Sequence, residues 1–312
     1  MRQLPDSPVF NRTEILAAGW TDAALQRAIR AGRVNRLRRG FFARPDVVDP
    51  VIAAKAAVRA CSGSVISHRS AALLHGLPLV GYPPDTPELT VQPRVTGDIN
   101  PGHLYRAKLR PVDVTEIDGV PVTSISRTLV DLARAIWLVG SVAAVDYALH
   151  EGLVSREQLS DAALACRGWP RSRRIPWVLD TADGRAESPL ETVSRLVLHH
   201  LGVPRPDLQP TIRTLDGKFI GRADFYWDRF GVVGEADGRG KYTERDVLVA
   251  EKLRQERLED AGLVVVRWTW ADATFESQRL KRRIERAFER GRARDAMASP
   301  RGWSVVAAPT GD

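Results

Sequence analysis

The sequence predicts a mixed α/β (α+β) protein, and three observations predict it. First, 44% of the 312 residues are hydrophobic and 27% charged, a globular composition rather than a disordered or fibrous one. Second, capped stretches with apolar spacing of three and four residues alternate with short runs of period two. Third, the net charge of +8 is gathered at the ends. Residues 1–45 carry nine arginines against three acids, and residues 279–295 carry eight bases against three acids, around an acidic middle. Localised basic charge is the footprint of a phosphate-bearing partner. The quietest stretch, residues 135–145, is far shorter than the ~20 residues a helix needs to cross a bilayer. With no charged-then-apolar leader pattern at the start, a cytoplasmic protein without a membrane partner is expected. Cys61 and Cys166 are too few for a disulfide framework or a four-ligand zinc site.

Taken in order, Thr13 is the expected cap of a short helix from Glu14 to Ala18, which Gly19 ends. Thr21 caps a second helix from Asp22 to Ala31, with Leu25, Ala28 and Ile29 facing inward. Gln26, Arg27 and Arg30 then face outward, where they could read base edges in a major groove. The alternating run from Arg33 to Phe42, broken at Arg39-Gly40, predicts a hairpin whose Arg36, Arg38 and Arg39 would grip phosphates. Helix, tight turn, helix and basic hairpin are the parts of a winged helix-turn-helix. Without DNA, the same pattern is a small helical cap with a solvated arginine face.

A middle α/β region is expected over residues 50–167. Its helices run from Pro50 to Ala60, along Ser67–Gly76, and from caps at Ser126, Ser141 and Ser155. Strands are expected at Glu88–Gln92, His103–Leu109 and Thr115–Thr123, the last folded at Asp118-Gly119. His68, His75 and His103 lack a metal-ligand spacing and read as structural histidines. Gly63-Ser64, without paired acids after it, does not make a nucleotidyl-transfer site. Residues 168–186 read as a connector rich in proline and arginine.

The segment 187–295 begins with Pro189 at the first position of a helix to Leu201. Strands are expected near 208–213, 219–227 and 230–236, then a charged helix over 246–261, a strand over 263–270 and a final basic helix. That order predicts one mixed sheet flanked by helices, with residues 296–312 as a tail. In the last helix Leu280, Ile284 and Phe288 form the docking stripe, and Lys281, Arg282, Arg283 and Arg286 lie on the other faces. Trp268 and Trp270 are expected in the core.

Two acids interrupt apolar strands here, where an uncompensated carboxylate is costly. If residues 228–231 form a four-residue loop, Trp227 faces Val232 and Asp224 lies opposite Glu235, with Asp237 on Glu235's face. A three-residue loop would put Asp224 and Glu235 on opposite faces. Clustered carboxylates repel, so a divalent cation is one way to stabilise them, and Mg²⁺ suits a phosphodiester-cleaving site. The alternative from spacing alone is structural pairing with Arg222 or Lys241. A phosphate-loop reading of Gly238-Arg239-Gly240-Lys241-Tyr242 fails, because position 235 is Glu and position 242 is Tyr.

Two resemblances accompany these features. Ser188-Pro189-Leu190-Glu191, Arg222-Ala223-Asp224-Phe225, Gly234-Glu235-Ala236-Asp237-Gly238, Lys241-Tyr242, Glu251-Lys252-Leu253-Arg254 and Val266-Arg267-Trp268-Thr269-Trp270 resemble the very-short-patch-repair-like branch of the PD-(D/E)XK restriction-endonuclease-like superfamily. That resemblance implies Asp224 and Glu235 as metal ligands and Glu191 as an accessory acid. The superfamily's usual lysine two residues after the glutamate is Asp237 here, which leaves Lys241 or Lys252 to supply the cation. The second resemblance lies at the front. Glu14 through Ala43, residues 67–76 and Pro121 through Asp131 are similar to AbiEi-type antitoxins. It implies DNA binding, promoter autorepression and a toxin partner. Fewer residues precede Glu14 than a full winged helix uses, so its first supporting helix is expected to be missing.

The expected division is therefore a winged-helix-like DNA-binding region over 1–49, an antitoxin-like middle region, a connector, an endonuclease-like domain and a tail. Two functions are open from the sequence. One is Mg²⁺-dependent DNA cleavage through Glu191, Asp224, Glu235, Asp237 and Lys241. The other is non-catalytic, antitoxin-like transcriptional regulation.

Overall fold

The computed structural model describes residues 3–5, 9–38, 40–45, 49–81, 83–93, 103–238, 245–297 and 303–308. It has the mixed α/β class expected, in two compact units that each draw on two chain segments. The first comprises Met1–Ile136 and Arg156–Trp177, the second Trp137–Ser155 and Val178–Asp312.

In the first unit, strand β1 (Val9–Asn11) leads into helix α1 (Arg12–Ala17). The helix starts earlier than Thr13 because Asn11 makes a reciprocal cap with Glu14. The Asn11 side chain accepts from the Glu14 N–H at 2.8 Å, and the Glu14 carboxylate accepts from the Asn11 N–H at 2.7 Å. Two otherwise unpaired helix donors are satisfied at once. Helix α2 (Asp22–Arg30) is capped by Thr21 as expected. Strands β2 (Asn35–Arg38) and β3 (Phe41–Ala43) form the hairpin, turning at Gly40 with φ 82°, and β1 adds to β3 in the order β1-β3-β2. Phe10, Ile15, Leu25, Ala28, Val34 and Phe42 close the core beneath.

Helix α3 (Pro50–Ala60), capped by Asp49, precedes a five-stranded sheet. The strands are β4 (Ser64–Ile66), β5 (Glu88–Val91), β6 (His103–Arg106), β7 (Val114–Ile117) and β8 (Val120–Thr123), in the order β6-β5-β4-β8-β7. Helix α4 (His68–Leu74) follows β4 directly. Three-residue β4 shows no periodicity in the sequence, yet it is the central strand, antiparallel to β5 and parallel to β8. Helix α5 (Ile125–Ala135) starts behind Ser124 rather than Ser126, because the Ser124 carbonyl already accepts from Thr128 N at 2.8 Å. Ser141 lies inside helix α6 (Leu138–His150), where its hydroxyl donates back to the Trp137 carbonyl at 3.2 Å instead of capping. Helices α7 (Arg156–Ala165) and α8 (Ile175–Thr181) follow.

The second unit contains α6 and helix α9 (Pro189–His200), joined by a buried carboxylate: Asp146 accepts from Thr192 Oγ1 at 2.7 Å and Arg195 Nη2 at 2.9 Å. Strands β9 (Asp207–Leu208), β10 (Thr211–Thr214), β11 (Phe219–Arg222), β12 (Phe225–Trp227) and β13 (Val232–Ala236) come next. They are followed by helix α10 (Arg245–Asp260), strand β14 (Val264–Trp268), helices α11 (Trp270–Thr274) and α12 (Ser277–Met297), and strand β15 (Trp303–Val306). The single sheet expected here is two. A mixed sheet has the order β14-β13-β12-β9, and a separate antiparallel sheet the order β11-β10-β15. The predicted strand over 219–227 divides at Ala223-Asp224, where Ala223 N donates to the Pro210 carbonyl and the Asp224 carbonyl accepts from Gln209 N. Its two halves thus join different sheets. Strand β15, in the segment expected to be a tail, pairs with β10 and buries Trp303.

Strands β13 and β14 are parallel, with α10 as the crossover between them, the connection a parallel pair requires. On one face Phe225, Trp227, Val232 and Trp268 pack with α12 through Leu280, Ile284 and Phe288. Close approach is specific here: a Cβ at Gly291 would overlap the Phe230 carbonyl, and one at Gly234 would meet the Trp268 ring at 2.5 Å. Trp270 departs from expectation. Thr269 caps α11 with Asp272, ending β14 at Trp268 and leaving Trp270 37% exposed.

Candidate functional site

The helix-turn-helix places its outward residues as the pattern requires. Leu25 and Ala28 are buried, while Gln26, Arg27 and Arg30 are exposed on α2. The acidic end of that helix is occupied, since Arg12 Nε donates to Asp22 at 2.8 Å. Arg36 is exposed on β2. Arg38 belongs to β2 by its backbone, its side chain lies outside the described set, and Arg39 lies outside the described residues.

The acidic cluster is built by register. Phe225 pairs with Gly234 and Trp227 with Val232, so residues 228–231 are the expected four-residue connection, and Asp224 and Glu235 follow next beyond the Phe225–Gly234 pair. One Asp224 oxygen accepts from Ala236 N at 2.8 Å. Glu235, 6% exposed, is held by both terminal nitrogens of Arg254 on α10, at 3.0 and 2.8 Å. The same guanidinium donates to the Arg222 carbonyl at 2.8 Å. Glu191, in the first turn of α9, accepts from Glu187 N at 2.9 Å, Ser188 Oγ at 2.7 Å and Gln209 Nε2 at 2.8 Å. Asp237 meets Arg267 at 3.3 Å, and Arg222 meets Glu187 at 2.6 Å. Lys241 lies outside the described residues, as does the side chain of Lys252.

Burial first, and then the neighbouring Glu235 and Glu191 carboxylates, push the Asp224 carboxyl up to about 8. Protonation of this carboxyl is one way to relieve repulsion inside the cluster. A raised folded-state pKa gives a contribution fully present below about pH 4 and lost as pH rises through about 8. Asp224→Asn keeps an acceptor for Ala236 N and removes the titration. In denaturant titrations across that window, the variant should lose less stability with rising pH than the parent. Identical profiles would show that Asp224 ionises normally.

These residues do not fit a Mg²⁺ site as placed. Both oxygens of Glu235 are taken by a guanidinium, one Asp224 oxygen by Ala236 N, and Glu191 by its own helix end and Gln209. Among the described residues, no group of three or more His, Cys, Asp or Glu side chains could hold a metal ion. The expected four-residue connection is met, with the register ending at Phe225 opposite Gly234, whereas Arg222 pairs with Glu187 rather than with either acid. Sequence reasoning missed Arg254 as Glu235's partner. Its signal was available: Arg254 lies four residues before Leu258, which is buried against this sheet, so both share one face of α10.

A capped helix, a tight turn, a second helix with outward arginines and a following hairpin are the parts of a winged helix-turn-helix. AbiEi antitoxin domains are found in this chain. A family model described as "Transcriptional regulator, AbiEi antitoxin" matches residues 5–45, and one described as "AbiEi antitoxin C-terminal domain" matches residues 39–181. The uncharacterized proteins MT2308 and Rv2248, from the CDC 1551 and H37Rv strains of Mycobacterium tuberculosis, are each 30% identical over 176 residues. That match spans 56% of this chain and 65% of each relative's length. No helix among the described residues is long and apolar enough to cross a membrane.

Proposed function

We propose that this chain is a non-catalytic, DNA-binding transcriptional regulator of the antitoxin type. The observation that carries the reading is the joint exposure of Gln26, Arg27 and Arg30 on α2, opposite the buried Leu25 and Ala28. Arginine can bond guanine and glutamine adenine in a major groove. Arg36, with Arg38 and Arg39 next to it in sequence, adds phosphate contacts that fix the register without reading sequence. The AbiEi match over residues 39–181 supports a cognate toxin as the second partner, met by the middle region. The acids of the second unit act structurally in this reading: Glu235 anchors α10 to the sheet through Arg254, and Glu191 closes the start of α9.

The test is a gel shift on DNA from the protein's own promoter over a salt series, with a parallel incubation of plasmid in Mg²⁺ or Mn²⁺. Steeply salt-dependent binding without cleavage is the expected result. Cleavage that disappears in Asp224→Ala and Glu235→Ala would replace the regulator with a metal-dependent nuclease.

A further inference from the structure

We propose that the first unit carries a binding cleft for a phosphorylated nucleoside, separate from the DNA-reading face of α2. The cleft has a volume of about 790 Å³, within the ~300–1,000 Å³ typical of small-molecule sites. It is lined by Arg106, Lys108, Arg127, Arg134 and Arg171, and among the described residues no carboxylate lines it. The acids that hold its cations sit behind the wall. Arg127, 1% exposed, donates to Asp131 at 2.9 Å and reaches Asp113 at 3.5 Å. Arg134 donates to Asp131 at 2.9 Å. Asp131 and Asp113 are 0% and 2% exposed, so Arg127 and Arg134 line the cavity and these two carboxylates do not.

Flat groups line the same space. The His68 ring stacks on Tyr105 at 3.4 Å, and the guanidiniums of Arg127 and Arg134 lie 4.6 and 5.1 Å from the Trp169 ring centroid. Aromatic and guanidinium planes are the surfaces on which nucleobases stack, and fixed cations beside them suit phosphate. Two lining residues are non-glycine residues with left-handed backbone, His68 at φ 51° and Arg171 at φ 61°. Such conformations are costly and concentrate at ligand sites. A bare anion would use the charge alone, whereas a nucleoside phosphate uses the charge and the planes together.

The experiment is calorimetric titration of the full chain with each of the four ribonucleoside triphosphates, and with pyrophosphate alone. The variant is Lys108→Glu with Arg171→Glu, both exposed positions, and the control is Arg59→Glu with Lys218→Glu, the same charge change away from the cleft. The proposal expects micromolar binding of a nucleotide, weakened at least ~10-fold by the cleft variant and unchanged by the control. The unfolding transition of the cleft variant should match that of the parent. A short single-stranded oligonucleotide, titrated into the Arg27→Ala, Arg30→Ala protein, separates the sources. Tighter binding than any mononucleotide, lost on adding the cleft substitutions, assigns the nucleotide to a strand; weaker binding assigns it to the free pool. No nucleotide binding, binding untouched by the cleft variant, or pyrophosphate binding as tightly as nucleotide would each overturn the proposal.

Discussion

Alanine at both Arg27 and Arg30 lowers affinity for promoter DNA by ~30-fold or more, while the protein unfolds at the parent temperature. Each arginine that bonds a guanine contributes about 1–3 kcal/mol of discrimination, so two such losses span about 1.5 to 4 decades in binding. Stability is spared because both side chains are exposed, and the helix is held by Leu25 and Ala28 inside and by the Thr21 cap, whose hydroxyl accepts from Ala24 N at 3.2 Å. Arg36→Ala should behave differently. Its phosphate contact contributes equally on any sequence, so binding weakens alike on promoter and unrelated DNA, with a shallower salt dependence. Gel shifts on both DNAs at two salt concentrations separate the two classes. Equal loss on both DNAs for the Arg27, Arg30 variant would remove α2 from base reading.

The N-terminal unit was legible because its signals are local. Caps, glycine stops and the i, i+3, i+4 spacing of Leu25, Ala28 and Ile29 lie within one turn of the residues they organise. The resemblance of residues 14–43, 67–76 and 121–131 to AbiEi antitoxins falls inside the matched stretches 5–45 and 39–181. Those family matches end at residue 181, so the endonuclease-like resemblance over 187–275 rests on its own residues. There the hairpin arithmetic gave the four-residue connection between Trp227 and Val232, because strand period and loop length are local as well. What neutralises the acids was not legible. Arg254 arrives from a helix 19 positions beyond Glu235, and strand periodicity carries nothing about that distance. The break at Ala223-Asp224 was hidden for a related reason: it is set by pairing with residues 209 and 210, while Phe219–Trp227 reads locally as one apolar strand.

Arg254→Met is expected to destabilise the second unit by about 2–4 kcal/mol, because it strands a buried carboxylate beside a second one. The loss is placed below that of a fully enclosed pair because the Arg254 side chain remains 24% exposed. Adding Glu235→Gln should recover most of it, since the amide needs no counter-charge, and urea titrations of both single variants and the double give the coupling directly. The same variants discriminate the two functions read from the sequence. If Glu235 is an anchor for α10, freeing it with Arg254→Met leaves a damaged protein that Mg²⁺ does not restore. If Asp224 and Glu235 are latent metal ligands masked by the guanidinium, Mg²⁺ should raise the denaturation midpoint of Arg254→Met and not that of Arg254→Met with Glu235→Gln. The structural pairing predicts no such rise. A cation-dependent recovery confined to the single variant would return the acids to phosphodiester chemistry, and Arg254 would then be the residue that keeps them from it.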